Sequence, residues 1–185
     1  MSDNLSPAPG WEAGLDDDDF EEDNIEESFL TFAVQESEYA LCLANVIEIV
    51  VGQRIIEMPD VPDYIKGVIN LRGKVIPVMD LRTRFGAPFR EYGPRSSIVV
   101  VEVDGESMGL AVDEVKDVVQ IPAGQVSPPP NYRPKSSGAR VIAGVGRREE
   151  GVSIILDGPR LLSSAELELE GVHRAAEDLG VSASA

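Results

Sequence analysis

The chain has one cysteine, one histidine and one tryptophan in 185 residues, and aromatic residues make up only 5% of it. A single thiol, Cys42, excludes an internal disulfide and any metal cluster built from several cysteines. It lies in YALCL, where the expected role is a small apolar core residue, and this cysteine usage suits a reducing cytoplasm. The single imidazole, His173, has no cysteine or second histidine near it with which to share a metal or form a catalytic pair. A phosphate-binding glycine loop and a dinucleotide fingerprint are both missing. The carboxylates of DGES and VDEVKD read as solvated acids at turns. No catalytic constellation is left, so an enzyme is not expected, nor a cofactor. No apolar run is long enough to cross a bilayer, and the opening MSDNLSPAPGWEAG has neither the basic start nor the apolar stretch of an export signal.

Bases are also missing from residues 1–27, which hold 11 acids. The net charge of −17 is therefore concentrated at the ends: residues 28–162 carry only −2, and residues 163–185 carry −4. The segment LDDDDFEEDNIEE, at 15–27, repels itself and has few apolar residues to offset ordering, which predicts a disordered acidic tail over 1–27. Trp11 and Phe20 within it read as stray aromatics of a solubilising tail, with partner anchors as the alternative. Within the near-neutral body, residues 64–95 hold seven bases against two acids, Asp80 and Glu91, and can form a locally basic face.

From Ser28 onward, short apolar runs alternate with Gly, Pro and Asp. SFLTFAV and YALCLANVIEIV flank the turn QESE as a hairpin, and SSIVVVEV and SMGLAVDEV flank the Asp104-Gly105 turn as another. PDVPDYIKG reads as a loop, with one helical turn over 63–66. DLRTRFG reads as a short helix, capped by Asp80 and ended by Gly86. The Pro- and Ser-rich stretch from Ile121 to Arg140 reads as a long surface loop before the strands VIAGVG and GVSIILD. Leu161, Leu162, Leu167 and Leu169 then have the spacing of a C-terminal helix, frayed over 163–185.

An internal repeat organises these strands. A shift of 69 residues lays YALCLANVIEIVV on MGLAVDEVKDVVQ, and a shift of 77 lays Gly67-Val68 on Gly144-Val145 and VIPVMD on VSIILD. The change of eight falls in the Pro-rich loop. Two copies of a small all-β unit follow, divided near 28–95 and 96–160, each hiding its edges most economically as a closed or nearly closed barrel.

GVINLRGKVIPVMDLR, at 67–82, poses a question that the repeat sharpens. Its two strands meet at Arg72-Gly73, yet a hairpin turn needs no guanidinium, and the second copy has Glu149 where the first has Arg72. Gly67 and Gly73 read as backbone requirements, a close approach and a turn. That Arg72 belongs to one copy alone favours a special role for it. The plain alternative is a loop arginine facing water.

The stretch YIKGVINLRGKVIPVMDLR closely resembles the signature of the CheW family, adaptors of bacterial chemosensory arrays. FLTFAVQESEYALCLANVIEIV, VVVEVDGESMGLAVDEVKDVV, AGVG and SIILD extend the resemblance over most of 28–162. It implies an all-β fold of two intertwined five-stranded SH3-like barrels with short helices and a C-terminal helix. It also implies a cytoplasmic, non-catalytic scaffold recruited to membrane-associated arrays, coupling the cytoplasmic tip of chemoreceptors to a CheA-type histidine kinase. By that resemblance the receptor groove draws on Val46, Glu48, Ile49, Gly67, Asn70, Leu71 and Arg72, with Ile98, Val100, Val115 and Val118 as the far wall. Kinase contacts draw on Leu41, Leu43 and Ile47. Within the groove, Arg72 either braces the surface through Glu48 or touches the receptor itself. The acidic tail and the segment PPPNYRPKSSG exceed what the family core needs, which leaves an adaptor of a non-flagellar pathway as an alternative.

The rival from another class is a small-barrel nucleic-acid binder, with the bases of 64–95 as its footprint. Scarce aromatics, no stacking platform among those bases, and an acidic tail that repels a polyanion all speak against it. Neither nucleic acid nor direct membrane insertion is expected.

Overall fold

Every long apolar run is broken by a turn whose chemistry is local, and the breaks decide the topology. The computed structural model describes residues 24–129 and 141–163. Strands β1 (Ser28–Val34) and β2 (Ser37–Cys42) form the first hairpin. The run YALCLANVIEIV does not continue as one strand. A single 3-10 turn over Leu43–Asn45 breaks it, and β3 (Val46–Val51) leaves for another sheet. β4 (Ile65–Leu71) and β5 (Lys74–Asp80) follow, then the one-turn helix α1 (Leu81–Arg84). Asp80 caps that helix as expected, its Oδ1 accepting from the Thr83 amide at 2.7 Å, and Gly86 follows at φ +84°. The expected helical turn at 63–66 is instead a hydrogen-bonded turn closed by the Ile65 amide on the Pro62 carbonyl, and it opens directly into β4.

The second half repeats the plan with β6 (Ser97–Val103), β7 (Glu106–Val112), β8 (Glu114–Gln120), β9 (Val126–Ser127), β10 (Ile142–Arg148) and β11 (Gly151–Leu156). Residues 158–163 are helical, with Leu161 and Leu162 buried. Leu167, Leu169, His173, Trp11, Phe20, the acidic stretch 1–23 and the loop residues 130–140 lie outside the described residues.

The strands form two sheets with one order. The first runs β3-β6-β7-β5-β4 and the second β8-β1-β2-β11-β10-β9. Each sheet has one parallel pair, β5 with β7 and β11 with β2, in equivalent places. Even the irregularities match: the β4–β5 ladder slips between Ile65 and Gly67, and the β10–β11 ladder slips between Ile142 and Gly144, 77 residues on. The isolated bridge of Ile56 to Val68 stands where β9 pairs with β10. The repeat is thus structural, and the fold is all-β with two SH3-like subdomains.

The hairpins are exchanged between the copies. β1–β2 joins the sheet of β8–β11, and β6–β7 joins the sheet of β3–β5, so neither stretch, 28–95 or 96–160, completes a sheet from its own strands. The exchange accounts for runs such as FLTFAV and IVVVEV, because both faces of these strands are covered. Along β6, Ile98 and Val100 point into the concave interior of the first sheet with Ile69, Ile76 and Val78. Val99 and Val101 point the other way, into a larger core between the sheets with Leu30, Phe32, Leu41, Met79 and Leu110. Cys42 is a half-buried free thiol packed beside Phe29 and Ile155 inside the second sheet, the apolar role expected of it.

Candidate functional site

In the five-stranded sheet, β3 and β4 are the two edges, and the sheet curls until they meet. Three unlike contacts seal that seam. The Ile56 and Val68 backbones exchange hydrogen bonds of 2.8 and 2.9 Å. Gln53 Nε2 donates to the Asn70 carbonyl at 3.2 Å. At the hairpin tip, Arg72 Nη1 and Nη2 donate to Glu48 Oε1 and Oε2 at 3.0 and 2.9 Å, a bidentate pair across the seam. The expected partner of Arg72 is therefore the one present. Arg72 makes this contact from the left-handed region, at φ +52°, followed by Gly73 at φ +85°. The Asn-Gly pair that suits such a turn best would have no arm to reach β3. The Glu48 side chain is 21% exposed and that of Arg72 78%, so the pair faces solvent on one side.

Gly67 is at φ +135°, and a Cβ there would lie 1.9 Å from the Ile56 carbonyl oxygen. Its role is the close approach that allows the Ile56–Val68 bridge. Gly144 repeats it beside Ser127.

Strand β3 alternates strictly. Val46, Glu48 and Val50 are half-buried, whereas Ile47, Ile49 and Val51 are 51%, 41% and 66% exposed. An edge strand with three bare β-branched residues is a surface that soluble proteins normally blunt. The equivalent edge, β8, is blunted. Lys116 and Gln120 replace Ile47 and Val51, and only Val118, 52% exposed, answers Ile49. Lys116 and Arg95 both contact Glu114 there, and the Lys116 hydrogen bond, with both positive charges, holds that carboxyl below its usual pKa against a desolvation effect of opposite sign. Among the described residues the apolar edge belongs to one copy alone, as does Arg72. Beside the seam a cleft of about 240 Å³ opens between Gln53, Ile55, Tyr92, Ser96 and the floor residues Val50, Ile98 and Ala111.

The residues expected in the site divide accordingly. Glu48, Asn70, Leu71 and Arg72 come together at the seam, with Ile49 on the outer face of β3. Val100, 1% exposed, is interior packing and not a wall that a partner touches, whereas Ile98, 7% exposed, reaches the surface only as part of the floor of the cleft beside the seam. Val115 and Leu43 are half-buried against the core between the sheets, and Val46 also packs there. Leu41 is 0% exposed and offers no barrel face, which corrects its placement as a contact, while Ile47 is open. These corrections share one cause: alternating valines and isoleucines look alike whether a strand is covered on one face or two. Gln53 and Val51 were missed, although Ile47, Ile49 and Val51 at every second position around Glu48 were a readable signal.

A second network lies between the barrels, again unforeseen. The Arg82 guanidinium, 8% exposed, pairs with Asp113 Oδ1, while Asp113 Oδ2 accepts from the Gln35 amide at 2.6 Å. Tyr92 donates to Asp80 Oδ2 at 2.9 Å. Burial, with the charge and hydrogen bond of Asp80, raises the Tyr92 pKa well above its ordinary value. Of the bases in 64–95, Arg72, Lys74, Arg82 and Arg95 are in ion pairs with Glu48, Glu102, Asp113 and Glu114. Lys66 and Arg84 lie over the rings of Phe89 and Tyr64. The chain's own groups thus engage most of the basic face on which a nucleic-acid site would depend.

Two barrels with exchanged hairpins, a clasped seam and one bare strand edge define a protein-interaction module. A model of the CheW-like domain matches residues 28–166, and the chain belongs to that family. It is 31% identical over 147 residues to the chemotaxis protein CheW of Klebsiella aerogenes, covering 80% of this chain and 88% of that one. It is 30% identical over 105 residues to Protein FrzA of Myxococcus xanthus, covering 57% and 66%. The crystal structure of the scaffolding protein TtCheW from Thermoanaerobacter tengcongensis superposes with a TM-score of 0.66 at 34% identity, covering 71% and 89%. The family role is that of a scaffold in chemotaxis signalling.

Proposed function

We propose that the chain couples the cytoplasmic tip of a chemoreceptor to a CheA-type histidine kinase without catalysing a reaction itself, and that it works in the cytoplasm at membrane-associated receptor arrays. The observation that carries this reading is the asymmetry between two otherwise matching barrels. Among the described residues, only the first has a bare apolar edge, Ile47, Ile49 and Val51, next to an arginine clasp, Glu48–Arg72. A helical receptor hairpin has the complementary chemistry, an apolar stripe flanked by charge, and would bury those three side chains, which in this reading moves Ile47 from the kinase contacts that the resemblance implies to the receptor. The kinase uses a different surface, so that one molecule holds both partners and modest affinities add through multivalency in the array. An adaptor of a non-flagellar pathway is the second reading, supported by the similarity to FrzA, a relative with a name outside the chemotaxis series.

The test is titration of the purified chain with the cytoplasmic hairpin of a chemoreceptor and, separately, with a CheA-type kinase. Ile49→Lys changes an exposed side chain and should leave the fold within about 0.5 kcal/mol of the original. It should weaken receptor binding and spare kinase binding. Equal binding of the receptor by both proteins would remove the β3 edge from the reading.

A further inference from the structure

We infer that Asn70 is a positioning residue, which sets the Arg72 turn so that the guanidinium meets Glu48. This rests on the receptor-binding reading above for its consequence, although not for its geometry. Asn70 is exposed and precedes the turn by two residues, so by position alone it looks like a contact for a partner. Its side-chain oxygen is already committed. Asn70 Oδ1 accepts from the Gly73 amide at 2.9 Å, spanning Leu71 and Arg72, and so ties down the two left-handed residues of the turn.

The tie is needed because Arg72 is the wrong residue for its backbone. A β-carbon at φ +52° is disfavoured, and beyond the Leu71–Lys74 pairing that closes the hairpin the turn depends on a local bond to keep one conformation. Gly73 has no atom within 4 Å of a notional Cβ, so packing does not hold the turn from that side. The Asn70 carbonyl also accepts from Gln53, which fixes the base of the hairpin to the segment following β3, the strand that carries Glu48. Asn70 therefore links both halves of the clasp, by its side chain to the turn and by its backbone to the opposite edge. A bidentate pair gives full value only if both bonds form at once, so a loosened turn loses the pair even with both charges intact.

The experiment compares the full chain with Asn70→Ala and Asn70→Asp, the latter retaining the acceptor oxygen. Rotation of the Arg72 guanidinium about Nε–Cζ is followed by nitrogen-15 NMR, and affinity for a chemoreceptor cytoplasmic hairpin by titration. Asn70→Ala should speed the rotation and weaken receptor binding by roughly three- to tenfold, the worth of one such hydrogen bond. Asn70→Asp should retain both, and melting should stay close to the original in each. An Arg72 group still held in Asn70→Ala overturns the inference, as does a freed Arg72 with undiminished binding where Arg72→Ala binds less. Receptor binding equal in Arg72→Ala and the original would overturn the functional reading instead, and the rotation would still decide the role of Asn70.

Discussion

Glu48 and Arg72 come from opposite edges of one sheet, and their two hydrogen bonds join edges that no continuous ladder connects. The pair is solvent-facing, so its contribution to stability is small, on the order of 0–1 kcal/mol. Arg72 meanwhile holds a left-handed conformation that costs about 1 kcal/mol or more for a side chain with a β-carbon. The two effects nearly cancel. The clasp thus adds almost no net stability.

A direct consequence concerns Arg72→Asn. Asparagine tolerates the left-handed region and suits the turn with Gly73, but it cannot reach Glu48. The variant should melt at the original temperature or slightly above it while its affinity for a receptor hairpin falls. Thermal unfolding and titration on the same sample separate the two effects. A drop in melting of more than a few degrees would show that the clasp holds the barrel shut.

Gly67→Ala should behave in the opposite way. A methyl group there meets the Ile56 carbonyl 1.9 Å away and must also adopt φ +135°, so the Ile56–Val68 bridge has to break. A loss of about 3 kcal/mol or more is expected, at the upper end for overpacking. Gly144→Ala meets the Ser127 carbonyl at 2.8 Å with no such φ to adopt, and should lose less. Denaturant melts of both variants check the order, and any loss of partner binding in Gly67→Ala should follow the fraction unfolded.

Gly67 and Arg72 also show what was legible in the sequence. The repeat was visible because Gly67 and Gly144 answer the same steric demand in each copy, and the Glu48–Arg72 pair because the family resemblance puts both residues in one groove. The exchange of hairpins was not visible in the residues themselves, and only the resemblance implied intertwined barrels. Leu43–Asn45 and Asp113 are breaks of three residues and one, and nothing in their composition says that the next strand joins a different sheet. For the same reason Ile98, Val100 and Leu41 could not be told from surface residues, since burial on both faces arises only from the exchange.

Asp113 sits at one of those breaks and is shared by both barrels. Its carboxylate pairs with Arg82 of the first sheet's helix and accepts from the Gln35 amide in the β1–β2 turn of the second, while its own amide donates to the Ala33 carbonyl. Asp113→Ala leaves the Arg82 guanidinium, 8% exposed, without its counter-charge. A loss of about 3 kcal/mol is expected, since an orphaned buried charge costs more than the intact pair contributes. Replacing both residues, Arg82→Met with Asp113→Ala, should recover part of it. A double-mutant cycle by denaturant unfolding measures the coupling, and simple additivity would mean that the pair does not act as a unit.

Tyr92 gives this junction a pH dependence of definite sign. Its hydroxyl donates to the buried Asp80, and burial, then the Asp80 charge, raises its pKa above the ordinary value of 10.0. In the unfolded chain the phenol ionises near 10.0, while in the folded chain it keeps its proton. The unfolded state therefore binds fewer protons above that pH, and stability falls as pH rises from there toward the folded pKa. Below pH 10 this contribution is fully present and flat. Tyr39, also raised by burial, adds a decline of the same sign, so the informative quantity is the difference between the original chain and Tyr92→Phe. Tyr92→Phe should be less stable at neutral pH through the lost hydrogen bond to Asp80, by about 1 kcal/mol, and the gap should narrow as pH climbs beyond 10. Urea melts of both proteins at pH 7, 9 and 10.5 test this, and a gap that stays constant across the series would mean that the phenol titrates alike in the folded and unfolded states.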